Sequence, residues 1–251
     1  MDEFNPALDL VLASLRQMRA GAERLPRASA ASLRRFRQPS ARVSEPTGKA
    51  ELLAAIRARV SVCTKCPHLA ASRSQTVFGV GSPDAELMFI GEAPGAEEDA
   101  KGEPFVGRAG QLLTRIIETM GFARSDVFIA NVLKCRPDTP GQSSGNRPPT
   151  PPEMATCLPY LAEQIAIVRP KVLVALGATA VEGLLGTRGT MRDLRGKWHS
   201  HQETPLMITY HPSYLLRNQA PSEKRKVWED MLLVLERLGR PISEKQQKYF
   251  L

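Results

Sequence analysis

The sequence predicts an α/β fold with three layers, α/β/α, around a central, mainly parallel four-stranded sheet. Three observations carry that reading. Four short apolar runs ("LMFI" at 87–90, "VFIANVL" at 127–133, "KVLVAL" at 171–176 and "LMITY" at 206–210) have the length of buried strands. Each is followed by a helical pattern, and strands that alternate with helices make a parallel sheet covered on both faces. The polar residues that break the pattern, Glu92, Asn131 and His211, fall at or just past the ends of these runs, where such sheets place their active edge.

In chain order, Asn5-Pro6 is a helix start, and Leu8, Val11, Leu12, Leu15 and Met18 follow the 3.6-residue period. Residues 21–48, rich in Ala, Arg, Ser and Pro, read as a flexible linker, so residues 1–48 form an N-terminal helix and a basic arm. The main domain, 49–240, opens with the helix "KAELLAAIRARV". Helices then follow at about 108–120, at 152–168 after a Pro-rich loop, and at "GATAVEGLL". "HPSYLLR" follows the fourth strand, and the helix "SEKRKVWEDMLLVLERLG" closes the domain before a tail at 241–251.

Composition narrows the class of protein. A chain of 251 residues suffices for one buried α/β core plus an extension. It has no run of 18 apolar residues, and its first residues, "MDEFNPALDL", lack the basic-then-apolar order of a signal peptide. A cytoplasmic protein with no membrane span is therefore expected. The net charge is +8; residues 16–49 hold nine Lys/Arg and two Glu, whereas residues 1–15 hold three acids and no base. A basic arm of this kind suits a polyanionic partner. The chain lacks a P-loop lysine and Rossmann glycine spacing, which argues against a nucleotide-phosphate enzyme.

Two features carry chemistry. Cys63 and Cys66 form a CxxC pair, while Cys135 and Cys157 stand alone with 21 residues between them. Such a set completes either a four-thiolate zinc site or an iron–sulfur cluster, and the second tight knuckle of a zinc ribbon is missing. The loop "GEAPGAEEDAKGEPFVGRAG" (91–110) leaves a strand as a phosphate cradle does, yet it carries Glu92, Glu97, Glu98, Asp99 and Glu103. An anion is a poor guest there.

These segments together ("GEAPGAEED…GEPFVGRAGQLL", "NVLKCRP", the four cysteines and "HPSYLLR") resemble a family 4 uracil-DNA glycosylase, the iron–sulfur branch of the uracil-DNA glycosylase superfamily. The likeness covers about residues 50–240. It implies a neutral base flipped out of DNA, with Ala93 and Gly95 lining the loop, Phe105 stacking on uracil and Asn131 bonding its Watson–Crick edge. An amide matches uracil O4 and N3–H and mismatches cytosine. His211 is implied as the donor to O2 and Glu92 as the group that orients water and offsets the cationic sugar. Glu98 is expected at the C5 side of the pocket. Ser213, Leu215, Leu216 and Arg217 form the DNA-facing loop, one leucine filling the gap left by the flipped base. A 4Fe–4S cluster on Cys63, Cys66, Cys135 and Cys157 is implied as the cofactor.

Two departures stand out. Ala93 occupies a position where family 1 enzymes carry Asp, and an aromatic gate is absent near Gly95, so water activation falls on Glu92. The segment "RPDTPGQSSGNRPPTPPEM" is long for the family. A covalent-trapping member of the superfamily is the alternative, disfavoured because residues 141–152 contain no histidine. A non-catalytic iron–sulfur DNA-binding protein is the other, and it has no need of Glu92, Asn131 and His211 together. The expected partner is uracil-containing DNA, single- or double-stranded, and a monomer is expected. The tail, "SEKQQKYFL", either folds back onto the domain or docks on a sliding clamp through Gln246, Tyr249 and Phe250.

Overall fold

The computed structural model describes Arg16, residues 48–139 and residues 142–251. The chain divides into two units, Met1–Glu45 and Pro46–Leu251. The expected N-terminal helix and arm, apart from Arg16 and Gly48, lie outside the described residues.

The second unit begins with α1 (Lys49–Ser61), which buries Leu53, Ile56 and Val60, and α2 (Pro67–Ser72). Strands β1 (Val80–Gly81) and β2 (Leu87–Gly91) follow, then α3 (Ala96–Lys101) and α4 (Arg108–Thr119). After a 3₁₀ turn come β3 (Phe128–Asn131) and a two-stranded ribbon, β4 (Asp138–Thr139) and β5 (Gln142–Asn146). The rest is α5 (Pro151–Val168), β6 (Val172–Leu176), α6 (Ala178–Leu185), α7 (Met191–Leu194), β7 (Trp198–His201), β8 (Thr204–Thr209), α8 (Pro212–Arg217), α9 (Pro221–Arg237) and α10 (Glu244–Gln247).

The main sheet has six strands in the order β1-β3-β2-β6-β8-β7. Its central four, β3, β2, β6 and β8, are parallel, and these are the four apolar runs of the sequence. The expected count of four is thus short by two. Edge strands β1 and β7 pair antiparallel to their neighbours. Neither looks like a strand in the sequence, because β1 is two residues long and β7, "WHSH", lacks the apolar character of a buried strand. The β4–β5 ribbon likewise lies inside the segment read as a Pro-rich loop.

Alternation along the strands splits the core in two. Met88, Ile90, Leu173 and Ala175 face α1, α5 and α6, while Leu87, Phe89, Val172 and Val174 face α4 and α9. Each fully buried Leu or Ile contributes about 1.5–3 kcal/mol, so both faces are firmly covered. α9 is pinned to β8 by Asp230, fully buried, which accepts from Arg195 Nη2 (2.6 Å) and Nε (3.0 Å) and from Thr209 Oγ1 (2.6 Å). No helix among the described residues is long and apolar enough to cross a membrane.

The tail packs on the α4–α9 face. Trp228 Nε1 donates to the Gln246 carbonyl (2.6 Å), Gln246 Nε2 donates to the Thr119 carbonyl (2.8 Å), and the Tyr249 ring meets Trp228 edge-on. Arg225 donates to the carbonyls of Gln247 and Tyr249. Tyr249 is half-buried, whereas Phe250 and Leu251 remain exposed.

Candidate active site

The C-terminal ends of β2, β3, β6 and β8 open into a cleft of 610 Å³. Glu92, Ala93, Gly95, Glu98, Phe105, Asn131, His211, Ser213 and Arg217 all line it, so the residues singled out from three separate sequence segments converge. Leu215 and Leu216 and the four cysteines lie outside it. Gly177, Thr179, Asn146 and Arg147 also line the cleft and were not anticipated. Gly177 had a sequence signal, a lone glycine between strand and helix. Asn146 and Arg147 had none.

Asn131 ends β3 and is almost wholly buried. Its backbone carbonyl accepts from Lys134 Nζ (2.8 Å), while its side-chain Oδ1 is buried without a partner. The residue opposite in register is Gly91. A β-carbon there would sit 2.6 Å from Phe105 Cζ and collide with Asn131 Oδ1, so only glycine lets amide and ring share this corner.

Phe105 is buried and adopts a left-handed φ of 53°, a strained conformation for a bulky residue. The loop that imposes it is tied down by Glu98. One oxygen of that carboxylate accepts from the N–H groups of Val106 (3.2 Å) and Gly107 (3.3 Å), and the other from Gly95 N–H (3.1 Å). Glu98 therefore lines the cleft with its acceptors committed to the backbone. Gly110 in α4 packs directly on the Phe105 carbonyl, where a β-carbon would overlap it.

His211 caps α8. Its Nδ1 accepts from the backbone N–H of Ser213 (3.2 Å), with Ser213 Oγ 2.8 Å away. A backbone N–H can only donate, so Nδ1 carries no proton and the neutral ring holds its proton on Nε2. Burial, reinforced by Arg217 and opposed by Glu98, lowers its pKa from 6.5 to about 4. The imidazole lies 5.5 Å from the Phe105 ring, centroid to centroid, at a 33° tilt. Glu92, immediately after β2, is half-buried, and its carboxylate makes no hydrogen bond or ion pair among the described residues. Only its backbone carbonyl is engaged, by Leu133 N–H (3.1 Å). Of the two leucines expected to face DNA, Leu215 is buried and Leu216 half-exposed.

The cysteines gather on the other side of the sheet's edge. Cys63 follows α1, Cys66 caps α2, Cys135 lies past β3 and Cys157 is in α5; all four are free thiols. Burial raises Cys66 and Cys135 and pushes Cys157 up to about 11. Cys66 is also raised by Cys135 and Cys63, and Cys157 by Cys135 and Cys66, so the four thiols sense one another. Arg73 Nη1 donates to Cys135 Sγ (3.1 Å) and Lys134 N–H to Cys157 Sγ (3.3 Å). Among the described residues no three His, Cys, Asp or Glu side chains converge on a single ion. A four-iron cluster spreads its thiolates over the corners of a cube, wider than ligands around one ion. An all-sulfur donor set, two of its thiols buried and two half-buried, with N–H donors aimed at sulfur fits that group.

The uracil DNA glycosylase superfamily model matches residues 78–232. A type-4 uracil-DNA glycosylase of Thermotoga maritima is 45% identical over 186 residues, covering 72% of this chain and 92% of that protein. One from Archaeoglobus fulgidus is 39% identical over 180 residues, 66% of this chain and 87% of that protein. A type-5 enzyme of Thermus thermophilus is only 25% identical over 216 residues, 72% of this chain and 95% of that protein. The chain belongs to the uracil-DNA glycosylase superfamily, in its type-4 group.

Proposed function

We propose that this protein excises uracil from DNA by hydrolysing the N-glycosidic bond, leaving an abasic site for base excision repair. One observation carries the assignment: the buried, unpartnered Asn131 Oδ1 faces a cleft that also holds the Phe105 ring and a His211 with its proton on Nε2. Uracil N3–H supplies the donor that Oδ1 lacks, and the amide N–H₂ answers O4. Cytosine presents the reverse pattern and leaves both groups opposed.

As the C1′–N1 bond breaks, its electron pair moves onto uracil N1 and O2. His211 Nε2–H donates to O2 as that charge grows, a preorganised contact worth about 3–4 kcal/mol. Glu92, free of competing partners, orients water toward C1′, takes its proton and offsets the cationic sugar. Glu98 acts as a positioning residue, fixing the strained Phe105 loop. Ala93 offers no group for proton transfer, which leaves Glu92 in sole charge of the water. Leu216, half-exposed, fills the gap in the duplex, whereas Leu215 anchors α8.

Cys63, Cys66, Cys135 and Cys157 would hold a 4Fe–4S cluster. When bound, the cluster would cross-link α1, α2, α5 and the loop after β3, a structural role. Zinc instead of iron in anaerobically purified protein would refute that assignment.

The test is direct. Uracil-containing single- and double-stranded oligonucleotides are incubated with enzyme and abasic sites are cleaved with alkali. Strand scission is expected with both substrates, and none with thymine in place of uracil. Scission absent from both uracil substrates would end the proposal.

A further inference from the structure

Alongside the cleft lies a second cavity, of 650 Å³, bounded by α4, α8, α9 and the tail. Ile116, Trp228 and Phe250 contribute an apolar and aromatic lining, and Arg108, Arg115 and Lys224 contribute positive charge. No acidic side chain lines it. Most cations elsewhere on this face are spoken for: Arg225 is paired with Glu229 and bonded to the tail, and Lys226 is paired with Glu223. The side chains of Arg108, Arg115 and Lys224 make no hydrogen bond or ion pair among the described residues.

The cavity is continuous with the DNA-facing loop. Ser213 and Arg217 of α8 line the catalytic cleft, and Leu215 and Leu216 of the same helix line the groove. A six-residue helix is about 9 Å long, so a strand with its uracil in the cleft carries its next nucleotide or two across α8 and onto the groove. In a duplex those neighbours stay paired and stacked. In a single strand their bases are free, and aromatic walls with unpaired cations are what such bases and phosphates need.

We propose that this groove binds an unpaired nucleotide flanking the uracil in single-stranded DNA, its base against Phe250 and the apolar floor and its phosphate on Arg108, Arg115 and Lys224. The inference rests on DNA being the substrate but not on the roles given to Glu92 or His211. The tail thereby becomes part of the substrate surface, held in place by the bonds of Gln246 to α4 and α9.

The experiment uses full-length enzyme, a Phe250→Ala variant and an Arg115→Ala/Lys224→Ala variant. Single-turnover excision is measured against enzyme concentration on the same uracil oligonucleotide, single-stranded and in duplex. For each variant the half-saturating concentration on the single strand should rise about 10-fold. The limiting rate and the duplex values should stay within about twofold. Unchanged single-strand affinity, or equal loss on both substrates, overturns the groove. So does binding of a sliding clamp that Phe250→Ala abolishes while single-strand affinity is intact. Wild-type excision from duplex is the control, because its absence would count against the glycosylase reading rather than against the groove.

Discussion

The cleft at the strand ends and the cysteine nest differ in how they treat several of their polar groups. In the cleft, the Glu92 carboxylate has no partner among the described residues and Asn131 Oδ1 is buried without one. Beside the cysteines, Glu153 accepts from Arg147 Nη1 (2.9 Å) and Nη2 (2.6 Å), from Thr150 N–H (2.7 Å), and lies 2.6 Å from His68 Nε2. Lys134, fully buried, is satisfied by Gln164 Oε1 (2.6 Å) and the Asn131 carbonyl (2.8 Å). An orphaned buried polar group costs about 1–3 kcal/mol. A fold tolerates that where a substrate will complete the set; on the cysteine side one such atom also remains, Asp99 Oδ1, while its other oxygen accepts from Ser74 N–H (2.9 Å). Lys134 spans the two regions, since it follows the cleft strand and precedes a cysteine.

If that contrast is right, substitutions in the two regions should fail differently. The largest effect belongs to the cleft: His211→Ala and Glu92→Gln should each slow single-turnover excision by about 10²–10³, with DNA affinity within about twofold; melting should be unchanged or raised for Glu92→Gln and slightly lowered for His211→Ala, which loses the α8 cap. A variant that lost affinity but kept its rate would place its residue outside the chemistry. Next comes Cys157→Ser, which should bleach the visible absorption of the cluster and destabilise the protein by about 3 kcal/mol or more. In a domain of this size that lowers Tm by roughly 6–12 °C. Full colour and an unshifted Tm would remove Cys157 from the ligand set.

The third effect links the cleft to stability. Burial favours neutral His211, so the unfolded chain binds a proton below 6.5 that the native state accepts only near 4. Stability from this source is complete above 6.5 and declines as the pH falls toward about 4, a loss of about 3 kcal/mol. Melting curves at pH 7 and 4.5 should therefore diverge less for His211→Ala than for the wild type. Identical divergence would mean that the ring is solvated. The smallest effect separates the two leucines. Leu216→Ala should leave Tm within about 2 °C and slow excision from duplex several-fold. Leu215→Ala should instead cost about 2–5 kcal/mol of stability.

Much of this was legible in the residues. Apolar runs ending in Gly, Asn or His marked the four parallel strands and the edge where Glu92, Asn131 and His211 meet. That worked because the side chains follow directly from strand ends, and a parallel sheet aligns those ends. Edge strands β1 and β7 escaped because antiparallel edges need no apolar run, and β4–β5 because a ribbon lacking an apolar run leaves no periodicity. The commitment of Glu98 to three backbone N–H groups was equally hidden. It depends on loop closure between residues 95 and 107, and sequence order does not report loop closure. The groove beside α8 required the path of the tail.

The strand order carries one further consequence, for the dimensions of what the enzyme can hold. Asn131 stands at the end of β3 and His211 just past β8, with β2 and β6 between them. Three inter-strand spacings separate the two, about 14 Å, and both side chains line the cleft. On the intervening strand β6, the chain continues into Gly177, where an added β-carbon would stand 3.0 Å from His211 Cβ, and glycine keeps the span clear. The hydrogen-bond spacing of the sheet thus acts as a ruler. Inserting or deleting a strand between β3 and β8 would change the gauge by a whole inter-strand step, so the strand order sets the distance between the two residues and leaves only the choice of side chain at either end to adjust it.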